Sequence, residues 1–214
     1  MYGKKFLDTY TGWIILINIV AFIFFLIALN RFDEFTVIDL VALKPAAILA
    51  GQNIWTFITS MFMHAGLWHL AANMISLMFI GSFVEKLIGK KRFLLVYFSA
   101  GIFAGILFVL LAKLTGTGLN VYAVGASGAI FGLGGLLAVL TPRLPVLVFF
   151  IIPMPMWLAM IALLGILWII SLGLNIPIGN IAHLGGLIVG LAYGFFLKAK
   201  YPRKTKMIAK YFSK

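Results

Sequence analysis

SGAIFGLGGLLAVLT, residues 127–141, is the stretch that decides how this chain folds. Its fifteen residues are apolar or small except for the terminal hydroxyls, and they stop at Pro142 and Arg143. At about 1.5 Å of rise per residue, a helix over them is roughly 22 Å long. The hydrocarbon core of a bilayer is ~30 Å thick. If the C-terminal end reaches one membrane surface at Pro142 and Arg143, Ser127 must begin well below the other. The preceding run TGTGLNVYAVGA, residues 115–126, then descends into the membrane as non-helical chain. Irregular backbone survives at that depth only where protein buries it or a water-filled cavity receives it. The expectation is a cavity open to one side, with Ser127 at its floor.

The membrane setting follows from composition. Of 214 residues, 64% are hydrophobic and 10% charged, and the mean hydropathy is +1.14. A soluble domain cannot hide that much apolar surface. Charges and breakers leave six candidate spans, at residues 12–29, about 67–84, 93–112, about 127–141, about 155–174 and about 178–197. The expected fold class is an all-α polytopic membrane protein of six transmembrane helices, the fourth short. An N-terminal segment 1–11 precedes the membrane domain 12–197, and a basic tail 198–214 follows it. The first span is too long for a signal-peptide core and has no small-residue cleavage site after it, so it reads as a retained helix. Cysteine is absent, which removes disulfides, thiol catalysis and thiolate metal sites.

The net charge is +12, and its distribution speaks for topology and against a nucleic-acid partner. With six spans, fourteen of the seventeen Lys and Arg fall on the side of the two termini, and Arg31, Lys44 and Lys113 fall on the other. The positive-inside rule makes both termini cytoplasmic. The tail KAKYPRKTKMIAKYFSK is expected to rest on anionic lipid.

The outer loop, residues 30–66, mixes charge with apolar residues too interrupted to span, so short interfacial amphipathic helices are expected there. Gly101 and Gly105, four apart, form a close-packing pattern in the third span. VLVFFII, residues 146–152, is too short to cross. Partial insertion from the cytoplasmic side remains open for it.

All five carboxylates, Asp8, Asp33, Glu34, Asp39 and Glu85, fall outside the spans, which removes paired-carboxylate chemistry from the interior. Hydroxyl, amide and imidazole remain. In the inferred topology His69, Asn73, Ser127 and His183 lie at one depth in the outer half of the membrane. At 100° per residue, Ser127, Phe131, Gly134 and Ala138 share a face of the fourth helix. His183, Gly190 and Gly194 share a face of the sixth, with Gly186 close by. Small residues on both faces let the backbones approach, bringing His183 to Ser127.

A serine hydroxyl is a poor nucleophile until a base takes its proton, and a neutral imidazole within hydrogen-bond reach does so. The helix start at Ser127 offers unpaired N–H groups and a positive dipole end to a developing oxyanion. His69 and Asn73 could add two more donors there. With no acid to orient His183, Phe131 one turn below Ser127 is expected to pack on its ring. Gly125 and Gly128 clear space around the hydroxyl. His64 is expected to satisfy a loop carbonyl or interfacial water, and three histidines without carboxylate or thiolate partners do not suggest a metal site.

GASG at 125–128, HAGLWHLAANM at 64–74 and AHLGGLIVG at 182–190 together resemble the signatures of the rhomboid family of intramembrane serine proteases, of the prokaryotic six-helix type. The resemblance covers about 51–197. It implies Ser127 as nucleophile, His183 as general base, and His69 and Asn73 with the Ser127 N–H as oxyanion donors. It also implies cleavage of substrate transmembrane helices near their outer ends, no cofactor, and a multi-pass cell-membrane protein whose site opens outward. A catalytically inactive rhomboid-like factor that binds membrane proteins is the alternative. One departure stands out: the family's outer-loop Trp-Arg pair is here Trp55 and Thr56, which bears on how that loop is anchored.

Overall fold

The computed structural model describes residues 6–149, 151–174 and 179–212. After a 3-10 turn at Phe6–Asp8 comes α1 (Tyr10–Leu29). The segment up to residue 66 carries three short helices, α2 (Glu34–Val41), α3 (Pro45–Leu49) and α4 (Thr56–Thr59). Then α5 (Leu67–Ser76) runs through a π-helical turn, Leu77–Gly81, into α6 (Ser82–Ile88), and α7 (Lys90–Thr115) follows. Last come α8 (Ser127–Leu140), the strands β1 (Pro145–Val148) and β2 (Ile152–Pro155), and the helices α9 (Met156–Leu174), α10 (Asn180–Lys200) and α11 (Pro202–Tyr211).

Among the described residues, five helices are long and apolar enough to cross a bilayer: α1, the continuous α5–α6, α7, α9 and α10. The fold is therefore that of a helical polytopic membrane protein. The remaining apolar helix, α8, is shorter, at 14 residues. It packs chiefly on α10 and α7, with α9 on a further side, and all its residues from Gly128 to Leu137 are buried. A helix hydrophobic all round is the kind that sits inside a bundle.

Glycine punctuates the longest span. Gly89 and Gly116 flank α7 with φ of +84° and +68°, a region costly for residues with a Cβ. They carry the helix beyond residues 93–112 at both ends. The sequence expectation missed this because Lys90, Lys91, Arg92 and Lys113 look like boundaries, although charged helix ends can lie outside the apolar layer.

Two elements depart from the sequence reading. Residues 146–148 and 152 pair in an antiparallel hairpin with register Pro145↔Pro155 to Val148↔Ile152, so the described residues are helical with one small β element. Phe150 and Ile178 lie outside the described residues, so the expected start of the last span is not itself seen and α10 begins at Asn180. At the other end of α10, Pro202 opens the separate helix α11 within the basic tail, and Arg92 donates to the Tyr201 hydroxyl at 3.0 Å beside that junction.

A buried carboxylate ties α1 to α6. Glu85 accepts from the backbone N–H of Tyr10 (3.0 Å) and Thr11 (2.8 Å) and from the Thr11 hydroxyl (2.8 Å). An anion at a helix N-terminus is stabilised by the unpaired N–H groups and the dipole. Three hydrogen bonds offset the cost of burying the charge.

Candidate active site

The α8–α10 contact is the frame of the site. A Cβ added to Gly186 would strike the Gly128 carbonyl, and one on Gly190 would strike the Gly132 carbonyl. On Gly135 it would come 2.7 Å from the Leu187 carbonyl, and on Gly194 2.8 Å from Val139 Cβ. The seam on α8 is thus Gly128, Gly132, Gly135 and Val139. Gly134, expected on this contact, faces α9 instead, where a Cβ would meet Met160 Sδ. The two stripes lie about 100° apart on a helix wheel, so Ser127 and Phe131 sit at the edge of the seam.

At that edge His183 Nε2 lies 2.8 Å from Ser127 Oγ. The Phe131 ring stacks on the His183 imidazole, with centroids 4.6 Å apart and planes 12° apart. The flat aromatic contact and the bond to Ser127 together orient the ring. If Nε2 accepts from the serine, Nδ1 carries the imidazole proton.

Ser127 is the first residue of α8. The approach to it is irregular chain held by the segment 30–66: Leu43 and Ala123 exchange hydrogen bonds of 3.1 and 2.8 Å, and Gly125 N–H donates to the Ser60 carbonyl at 2.8 Å. Gly125 has φ +112°, and a Cβ there would lie 2.8 Å from both Cε1 and Nε2 of His69. Glycine is needed twice over, for its backbone conformation and for the room it leaves the histidine. Gly128 is equally constrained, since its Cβ would come 2.7 Å from Ala104 Cβ.

His69 faces Gly125 with the Nε2 edge of its ring. The Ala65 N–H reaches its Nδ1 at a long 3.4 Å, which favours the tautomer with a proton on Nε2. Asn73 is placed differently from the expectation: it is buried, and its amide donates to the His69 carbonyl at 2.9 Å. His64 is fully buried and meets His69 edge to face at 5.1 Å. Burial, and secondarily the His69 imidazole, push its pKa down to about 4, against a smaller opposing pull from the Phe62 backbone.

Ser127, His183, His69, Gly125 and Gly128 line one cavity of about 660 Å³. Its other walls come from the C-terminal parts of α1 and α7, from α2, and from residues 60–65 and 121–124. Sequence reasoning missed Ser60 and Ala182 in this wall. Ser60 acts through its backbone carbonyl, which has no signature in side-chain type. No group of three or more His, Cys, Asp or Glu suited to a metal ion occurs among the described residues.

Fold and site together define a helical multi-pass membrane protein with a serine–histidine pair at the start of a buried helix. Residues 51–200 match the Rhomboid domain family model, and the chain belongs to the rhomboid family. It is 35% identical over 159 residues to RHOMBOID-like protein 1 of Arabidopsis thaliana, covering 72% of this chain and 37% of that protein. It is 35% identical over 153 residues to Rhomboid protease GluP of Bacillus subtilis (strain 168), covering 69% and 27%. Inactive RHOMBOID-like protein 8 of Arabidopsis thaliana is 34% identical over 89 residues, covering 42% and 24%. The chain spans less than half the length of these relatives.

Proposed function

We propose that this chain is an intramembrane serine endopeptidase that hydrolyses peptide bonds in or near the transmembrane helices of membrane-protein substrates. The observation that carries this reading is the 2.8 Å contact of Ser127 Oγ with His183 Nε2, at a helix start inside a cavity. In the proposed reaction the hydroxyl oxygen attacks the scissile carbonyl carbon while His183 takes its proton. The oxyanion forms against the Ser127 backbone N–H and the Nε2–H of His69. Asn73 joins them by turning its amide away from the His69 carbonyl.

His183 then gives its proton to the leaving amine, and an acyl-serine remains. Water reverses the sequence, losing a proton to His183 and releasing the acid and the free serine. No step needs a cofactor. The protein would lie in the cell membrane with both termini cytoplasmic, the basic tail on anionic lipid and the site open to the outer side. The Trp157 and Trp168 face of α9, exposed at 47% and 40%, is a candidate point of entry for a substrate helix.

A relative named as inactive favours a second reading, a rhomboid-like factor that binds membrane proteins without cutting them. Retention of both members of the pair supports the first. The two separate in liposomes containing a transmembrane reporter. The wild type should cleave the reporter and take a fluorophosphonate on Ser127, and Ser127→Ala should do neither. Cleavage that survives in Ser127→Ala sinks the protease reading, and an unlabelled, inert wild type favours the binding factor.

A further inference from the structure

The Arg expected after Trp55 is Thr56, and its hydroxyl is engaged within its own turn, donating to the Asn53 carbonyl at 2.6 Å. The outer loop is nonetheless fastened to the chain that leads into Ser127. The Tyr122 hydroxyl donates to Asp39 Oδ1 at 2.7 Å, across 83 residues of sequence. Lys44 Nζ lies 3.4 Å from the same carboxylate oxygen and 3.4 Å from the Tyr122 hydroxyl, and sits 5.2 Å from the centroid of the Tyr122 ring. The Asp39 carbonyl is itself held by the Asn53 amide at 2.8 Å, so the carboxylate projects from a fixed backbone.

We propose that Asp39, Lys44 and Tyr122 form a clamp that sets residues 121–125 in register against the outer loop, and that they act as positioning residues for the peptide hydrolysis at Ser127. This rests on the protease reading for its catalytic part. The backbone bonds it would guard are the Leu43–Ala123 pair and the Gly125 N–H to Ser60, which end two residues before the nucleophile. The ion pair alone is weak: Lys44 and Asp39 keep 24% and 42% of their side chains exposed, and such pairs contribute little. The phenol–carboxylate bond is the stronger member, short and charge-assisted. Two donors converging on one carboxylate oxygen, and in reach of each other, also couple more than isolated pairs.

The clamp does not touch the reacting atoms. Its effect is therefore expected in turnover and not in substrate affinity, because small displacements of a nucleophile weaken transition-state contacts first. Tyr122 and Ala123 also line the cavity, so a loosened segment 121–125 would reshape the wall nearest Gly125.

The test uses the full chain in liposomes with Tyr122→Phe, Asp39→Asn and the double variant. Tyr122→Phe keeps the ring and removes only the hydroxyl. Hydrogen exchange at the Ala123 and Gly125 amides should quicken about tenfold in each variant, the equivalent of about 1.4 kcal/mol. Reporter kcat and the rate of fluorophosphonate labelling should fall about fivefold with KM changed less than twofold. The double variant should lose no more than the worse single. Unchanged exchange overturns the clamp, and so does quickened exchange with full turnover or a double-variant loss equal to the product of the singles. A wild type that neither cleaves nor labels overturns the protease reading, while the exchange measurement still reads the clamp.

Discussion

At the scale of single residues, the Ser127–His183 pair depends on an aromatic ring for its alignment. An acid that bonds Nδ1 would fix the imidazole through a directional hydrogen bond. Here the Phe131 face does so through contact, at 4.6 Å and 12°. Aromatic pairs contribute about 0.5–1.5 kcal/mol beyond area burial. Phe131→Leu keeps an apolar side chain but gives up the flat surface. We expect it to lower kcat for a transmembrane reporter roughly tenfold, the effect of about 1.4 kcal/mol, with KM within twofold. A variant that turns over like the wild type would show that the ring is only filler. His64 belongs to the same scale. It is buried against His69 with the Phe62 backbone beside it, where the sequence expectation was a loop carbonyl or interfacial water. A histidine near a chain reversal gives no sign of which way it will be folded in.

At the scale of elements, the interlock of α8 and α10 rests on glycine meeting backbone. The atoms facing Gly186 and Gly190 are carbonyl oxygens of Gly128 and Gly132, and backbone cannot swing aside as the end of a flexible side chain can. Gly190→Ala is expected to cost about 1–3 kcal/mol by overpacking and, by moving α10, to reduce cleavage. Gly165→Ala in α9 meets nothing within 4 Å and is the neutral control. Unfolding in graded denaturing detergent, read beside reporter cleavage, compares the two, and equal stability of both variants would refute the interlock. How far the sequence foretold this seam is instructive. The glycines of α10 and the residue pairs that meet at Ser127 were legible because helical spacing is a local property. The seam on α8 was displaced by one position, from Gly134 to Gly132 and Gly135, because a wheel ranks faces without saying which neighbour occupies which. The hairpin of β1 and β2 and the carboxylate of Glu85 at the start of α1 were not legible at all. Both depend on partners that only the assembled bundle supplies.

At the scale of the whole molecule, the charge asymmetry makes a claim about sidedness. Fourteen of the seventeen Lys and Arg gather with the termini and the turns on their side, and the cavity opens at the other end of the bundle, where α1 and α7 finish and α8 and α10 begin. On the proposed six-span topology, the positive-inside rule would put the cavity mouth outside. A fluorescent protein fused after residue 212 should mature in the cytoplasm, and a phosphatase inserted at residues 51–53 should be active only outside. The reverse pattern would invert the topology and place the mouth in the cytoplasm.

The spacing of the proposed catalytic pair has a further consequence for how the protein is made. Ser127 and His183 stand 56 positions apart, and the helix that brings the histidine leaves the ribosome after the one that carries the serine. Until it arrives, α7 covers only part of the small-residue seam of α8. On the proposed chemistry, a nascent chain stalled before that point holds a nucleophile without its base. Such a fragment is inert toward the other membrane proteins being inserted beside it, so translation itself would withhold activity until α10 has been made.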